Sequence, residues 1–182
     1  MKKVFLVVLL LALMCGCDKT KPEYLVSAMG FDSDGGDYSV CFESIVINTE
    51  NNEQKLLLLK GKGKTIKTAV DEIYHQCTQP VLLSHCGVIA VGEGINKNRF
   101  KEICEFCYDK EQITLSAFFV KTKNAENLLS FKPISSTCAG YDIMGLIKQN
   151  KGYKNRFFEI INSNFKAELP LISLTDGGII FE

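Results

Sequence analysis

The sequence predicts an α/β (α+β) fold: a mixed β-sheet that opens with an N-terminal hairpin and is flanked by helices. Three observations lead there. Two apolar, alternating runs flank a dense cluster of turn formers at residues 32–37. Apolar residues recur at helical spacing in 65–77, 99–109 and 139–149. Strand and helix signals then alternate through the middle of the chain, the pattern of a sheet covered by helices.

Tyr24 to Phe31 and Tyr38 to Ile47 are the hairpin strands, with Tyr38, Val40, Phe42 and Val46 on one face by two-residue alternation. Asn48 to Gln54 is a polar loop, and Lys55 to Lys60 holds a third, strongly apolar strand. Thr65 to Cys77 is the clearest helix: Thr65 caps it, and Ile66, Ala69, Val70, Ile73 and Cys77 share a face. Val81 to Val91 reads as one buried strand after Pro80, closed by Gly92-Glu93-Gly94. Arg99 to Asp109 follows as a helix with Phe100, Ile103, Cys104, Cys107 and Tyr108 inward. Ile113 to Lys121 is another strand, with Leu115, Ala117 and Phe119 on one side. Asn124 caps a short helix through Phe131, which Pro133 ends; Ala139 to Gln149 and Arg156 to Phe165 are two more. Pro170 to Leu174 is extended, and Gly178 to Glu182 begins a last strand.

The 182 residues suffice for one core or two small ones, and 46% hydrophobic content is that of a globular chain. Lys+Arg and Asp+Glu are both 21, so nothing in the composition suggests the basic face that nucleic-acid binding needs. The one sharp compositional break is at the N-terminus. Met1-Lys2-Lys3 is basic and Val4 to Met14 is unbroken apolar. That run is shorter than the roughly 20 residues of a transmembrane helix, and it matches the roughly 7–15-residue apolar region of a secretory signal. Met14-Cys15-Gly16 then fills the apolar, tolerant and small positions of a bacterial lipobox before Cys17. For Cys15 the small position would fall on the bulky Met14, so Cys17 is the expected lipidation site. The expected organisation is a lipoprotein signal peptide over 1–16, the lipidated Cys17 with a short tether over 17–23, and an α/β domain over 24–182. Two acyl chains anchor stably where one is marginal, which places the domain on the outer face of a membrane.

Candidate chemistry is sparse. Gly61-Lys62-Gly63-Lys64-Thr65 lies between a strand and a helix, but the glycine a phosphate loop needs five residues before Gly63 is Leu58. A strand-to-helix turn with a capped helix is the reading taken. Asp32, Asp34 and Asp37 miss the calcium-loop spacing and read as a solvated hairpin turn. His85, inside an apolar run, reads as a core histidine, and Glu43, Glu93 and Asp142 have no partner that spacing identifies. No catalytic residue, cofactor site or metal site is assigned. Beyond Cys15 and Cys17, six cysteines remain: Cys41, Cys77, Cys86, Cys104, Cys107 and Cys138. Helical spacing turns Cys104 and Cys107 inward, away from the helix N-terminus that lowers a thiol pKa. Buried free thiols are expected, with disulfides left open by the even number in an exported chain.

Read in order, these segments resemble the Ger(x)C family, the lipoprotein C subunits of spore germinant receptors. A lipobox cysteine leads to YLVSAMGFDSDGGDYSVCFESI, similar to the family's opening strand, turn and return strand. GKGKTIKTAVDEI resembles its helix start, LLSHCGVIAVGEGI its His-containing strand, and ITLSAFFVKTKNAENLL the strand-to-helix step that follows. The resemblance covers the family's N-terminal half; members generally continue for about as long again from near PLISLTDGGIIFE, where this sequence stops, as a natural short form, a split or truncated gene or a partial sequence would. It implies a non-enzymatic subunit of a nutrient germinant receptor in the spore's inner membrane. Its implied partners are membrane-embedded A- and B-type subunits and, through Cys17, the bilayer. A stand-alone solute-binding lipoprotein of a transport system is the competing expectation.

Overall fold

A computed structural model of the protein describes residues 23–48, 53–110, 112–134, 136–150, 152 and 155–182. Cys17 and the expected signal peptide lie outside the described residues. The fold is a mixed sheet with helices on both faces. Its strands are β1 (Tyr24–Asp34), β2 (Asp37–Asn48), β3 (Glu53–Gly63), β4 (Val81–Leu82), β5 (Val88–Gly92) and β6 (Phe118–Thr122), in the order β3-β2-β1-β5-β6, with β4 also beside β1. β1, β2 and β3 run antiparallel, whereas β4, β5 and β6 run parallel to β1. The helices are α1 (Ile66–Gln76), α2 (Lys97–Asp109), α3 (Ala125–Ser130), α4 (Ala139–Gln149) and α5 (Phe157–Asn162). A separate antiparallel pair, β7 (Ile172–Thr175) and β8 (Gly178–Phe181), closes the chain.

The β1–β2 hairpin turns on Gly35 (φ 57°) and Gly36 (φ 101°). Both central residues of this two-residue loop sit in the left-handed region, which glycine adopts without the Cβ penalty and which matches strand twist. Along β2, alternation divides the core as expected. Tyr38, Val40 and Phe42 face a cluster with Ile73, Phe119 and Phe157, beneath α1, α2 and α5. Cys41 faces a second cluster with Val88, Val120, Leu128 and Ile143, beneath α3 and α4. At α1, Thr65 is the N-cap: its Oγ1 accepts from Thr68 N, and Thr68 Oγ1 accepts from Thr65 N. Gly61 and Gly63 belong to β3 rather than to a loop. A Cβ at Gly61 would collide with the Ala69 carbonyl, so glycine lets α1 lie close on the strand. β3 is an edge strand. On its outer side Lys62 N donates to Glu72 Oε2 (2.5 Å), and Gln76 Nε2 donates to the Lys60 carbonyl (2.7 Å).

Several expectations are corrected. Val81 to Val91 does run beside β1 but is not one strand. β1 bulges at Ser27, between Val26 and Ala28, and opposite that bulge the chain makes a 3-10 turn over Leu83–His85. The turn buries Leu83 and Cys86 and leaves His85 exposed, so His85 is not a core histidine. Ile113 to Ala117 forms turns, with Ile113 N bonded to Lys110 O and Ala117 N to Thr114 O; only Phe118 onward is strand, and Leu115 is exposed. α2 starts at Lys97 because Asn96 Oδ1 accepts from Arg99 N. Its inward face is Ile103, Cys104 and Cys107; Tyr108, one residue round the helix, is 64% exposed. Asp32 is not a solvated turn residue but is buried.

Candidate functional site

The second face of the sheet carries two buried carboxylates, and both hold helices. Glu43 is fully buried. Its oxygens accept from Ser27 Oγ (2.7 Å), Ala139 N (2.7 Å) and Gly140 N (2.9 Å), so a strand residue caps the N-terminus of α4. The N-cap residue Cys138 supplies no side-chain cap of its own. Asp32 does the same for α3, accepting from Ala125 N (2.9 Å) and Glu126 N (3.0 Å). Orphan amides at a helix start favour an acceptor and a negative charge. Burial raises both carboxyls above their ordinary pKa, while the donated hydrogen bonds pull them back. Sequence spacing could not pair Glu43, since its partners lie 16, 96 and 97 residues away.

The six cysteines within the described residues are all free; only Cys77 is not buried. Burial pushes the Cys86 and Cys104 thiols up to about 12 and Cys107 well above its usual value. A protonated, enclosed thiol is a poor nucleophile and a poor metal ligand. No group of three or more His, Cys, Asp or Glu side chains among the described residues is arranged to hold a metal ion. Glu93 is exposed, and Asp142 lies on α4.

Several concave surfaces open among the described residues, and two of them bear on binding. One is a cleft of about 860 Å³ at the carboxyl ends of the parallel strands β5 and β6. Its floor and walls are Val91, Gly92, Ile95, Phe100, Phe165 and Leu169, with Asn96 at the start of α2. Lys97, Lys101, Lys121 and Lys166 stand round it with one acid, Glu168. The far wall follows α5, where Asn164 (φ 53°) and Phe165 (φ 61°) adopt left-handed backbone that non-glycine residues enter at a cost. That segment is fixed by Phe165 N to Ile160 O (2.9 Å) and by Lys121 N to Pro170 O (2.8 Å). In open sheets, the carboxyl ends of parallel strands are the usual position for ligands. The other surface is a groove of about 460 Å³ between α4 and β8, lined by Phe131, Ile134, Tyr141, Leu146 and Ile179. Ile134 is fully exposed and Tyr141 is 43% exposed.

Two buried carboxylates therefore hold helices, five of the six thiols among the described residues are buried, and the solvent-facing surface includes a lysine-rimmed cleft and an apolar groove. Concave clefts and exposed apolar surfaces are where ligands and partners commonly bind. The chain belongs to the family of spore germination proteins: residues 23–173 match the family model for the spore germination protein N-terminal domain, the N-terminal portion of the Ger(x)C proteins. The family gives the chain a role in spore germination, and its members are generally non-catalytic receptor components. No curated protein and no solved structure gave a significant match.

Proposed function

We propose that the chain is a non-enzymatic, lipid-anchored subunit of a nutrient germinant receptor, held through Cys17 on the outer face of the spore's inner membrane beside membrane-embedded A- and B-type subunits. The observation that carries this reading is the family match over residues 23–173. The short apolar run ending in Gly16-Cys17 supports the anchor. Among the described residues no helix is long and apolar enough to cross a membrane, so on this reading the signal passes by contact with proteins that span it. Confinement to two dimensions raises the effective concentration of such partners without added affinity. The groove between α4 and β8, with Ile134 and Tyr141 open to solvent, is the apolar surface suited to that contact.

The test is affinity capture of the tagged chain from detergent-solubilised spores, alongside the Cys17→Ala variant. The expected result is recovery of A- and B-type subunits with wild type. Cys17→Ala should leave the membrane fraction or accumulate as an unprocessed precursor. Recovery of a solute permease in place of receptor subunits would shift the reading to a solute-binding lipoprotein, and a variant that fractionates like wild type would remove the anchor.

A further inference from the structure

The cleft at the carboxyl ends of β5 and β6 has a chemistry that the receptor-subunit reading does not use. The chain as a whole is neutral, with 21 basic and 21 acidic residues. The cleft is not neutral: four lysines border it against Glu168 alone. Lys101 is drawn partly to Glu105, 3.4 Å away along α2. Lys97, Lys121 and Lys166 form no ion pair with the described residues, so three cations are left facing solvent round one cavity.

Two further features give the positive charge a direction. The 13-residue α2 begins at the cleft, with Asn96 and Lys97 in its wall. Asn96 Oδ1 occupies the Arg99 amide, while the amides of Lys97 and Asn98 precede the first intrahelical bond and donate to no described residue. Unsatisfied amides at a helix start add to the lysines' attraction for an anion. Below that rim the surface is apolar: Val91, Ile95, Phe100, Phe165 and Leu169 line the floor, and Phe100 packs edge-on to the buried Phe119 at 6.0 Å between ring centroids. A cation rim above an apolar floor matches a solute that is itself divided in this way. Lysines act as point charges and take carboxylate or phosphate alike; the bidentate fork of arginine, which would favour planar carboxylates, is absent from the rim.

We propose that this cleft binds a small organic anion, with its carboxylate or phosphate head between Lys97, Lys121 and Lys166 and an apolar body against Phe100, Phe165 and Leu169. The volume of about 860 Å³ falls within the range of small-molecule sites. The site stands apart from the groove between α4 and β8 and requires no partner. Its test therefore uses the purified chain alone and is independent of the capture experiment.

The experiment is an NMR titration of the full, methyl-labelled chain in lipid nanodiscs with phenylacetate, phenylacetamide and inorganic phosphate. Phenylacetate should shift the methyl signals of Val91, Ile95 and Leu169 saturably. The neutral amide should bind about tenfold more weakly if charge supplies a surface-type electrostatic contribution per lysine. The Lys97→Gln/Lys121→Gln double variant, whose substitutions are at exposed positions, should fold with unchanged spectra elsewhere and lose about tenfold in phenylacetate affinity. Weakening with added salt is expected for both anions. Equal binding of acid and amide, no loss in the double variant, or shifts confined to other regions would overturn the anion site. Phosphate binding as tightly as phenylacetate would overturn the apolar subsite.

Discussion

Removing the Glu43 carboxylate tests whether a strand residue organises α4. In Glu43→Ala, the buried amides Ala139 N and Gly140 N lose their acceptor at once, and Ser27 Oγ is left with only the residue-43 carbonyl at 3.1 Å. Leaving a buried donor unsatisfied costs about 1–3 kcal/mol, and losing a helix cap costs about 1 kcal/mol. Water entering the space and relief from burying a charge offset part of this, so the expected net loss is about 3 kcal/mol. For a chain of this size that corresponds to a fall of about 6–12 °C in Tm. Thermal and urea unfolding of the full chain in detergent, followed by circular dichroism at pH 7, measure it. Hydrogen exchange should accelerate at Ala139 and Gly140 before it does elsewhere. A loss below about 1 kcal/mol with α4 amides still protected would refute the argument. The pH dependence supplies a second check. Burial raises the folded-state pKa of Glu43 and Asp32 above the ordinary values of 4.5 and 3.8. The folded chain therefore holds these protons more tightly than the unfolded chain. That contribution to stability is complete below the ordinary values and is lost as pH rises through the raised ones. Wild-type stability should decline with pH across this window, and Glu43→Gln should flatten part of the decline.

Two further outcomes follow from the packing. Gly61→Ala should cost at least about 2 kcal/mol, because its Cβ meets the Ala69 carbonyl and lies 3.0 Å from Ile73 Cγ1. Gly145→Ala, in open space within α4, should instead stabilise by about 0.5–1 kcal/mol, and equal unfolding midpoints for the two variants would contradict the reasoning. Alkylation of the native chain at neutral pH should label Cys77 first and Cys86, Cys104 and Cys107 slowly. Under denaturing, non-reducing conditions all six should label, and a disulfide-linked peptide pair would overturn their assignment as free thiols.

How much the sequence revealed depended on how local the cause was. α1 was legible because its cap, Thr65, and its buried stripe, Ile66, Ala69, Val70 and Ile73, act within one helix. α4 was legible from Ala139 to Gln149 through its buried stripe alone, Ala139, Ile143 and Ile147, since its cap comes from Glu43 on β2. The alternation of Tyr38, Val40 and Phe42 located one core face. The break between β4 and β5 was not legible, since it answers a bulge at Ser27, where Gly87 N bonds the Ser27 carbonyl from 60 residues away in sequence. Apolarity at Ile113 and Leu115 suggested strand, but hydroxyl-assisted turns at Thr114 and Ser116 took over the backbone. The roles of Asp32 and Glu43 were hidden because a remote carboxylate capping a helix leaves no mark in local spacing. The lysine cleft was hidden likewise: Lys97, Lys121 and Lys166 meet only once β5, β6 and the segment after α5 converge.

The outer side of β3 has a further consequence. An 11-residue edge strand containing Leu56-Leu57-Leu58-Leu59 is a template onto which another copy could add a strand. Where β3 meets α1, Glu72 takes the Lys62 amide and Gln76 supplies a donor to the Lys60 carbonyl, so side chains stand where a neighbouring backbone would bond. At its other end the strand begins with Glu53 and Lys55, charges an incoming strand would have to accommodate. Held at a common height on a membrane, as proposed above, copies of this protein would meet edge to edge and polymerisation would be a hazard. Two glycine-free turns of α1 thus serve as a guard rail that keeps neighbouring molecules separate.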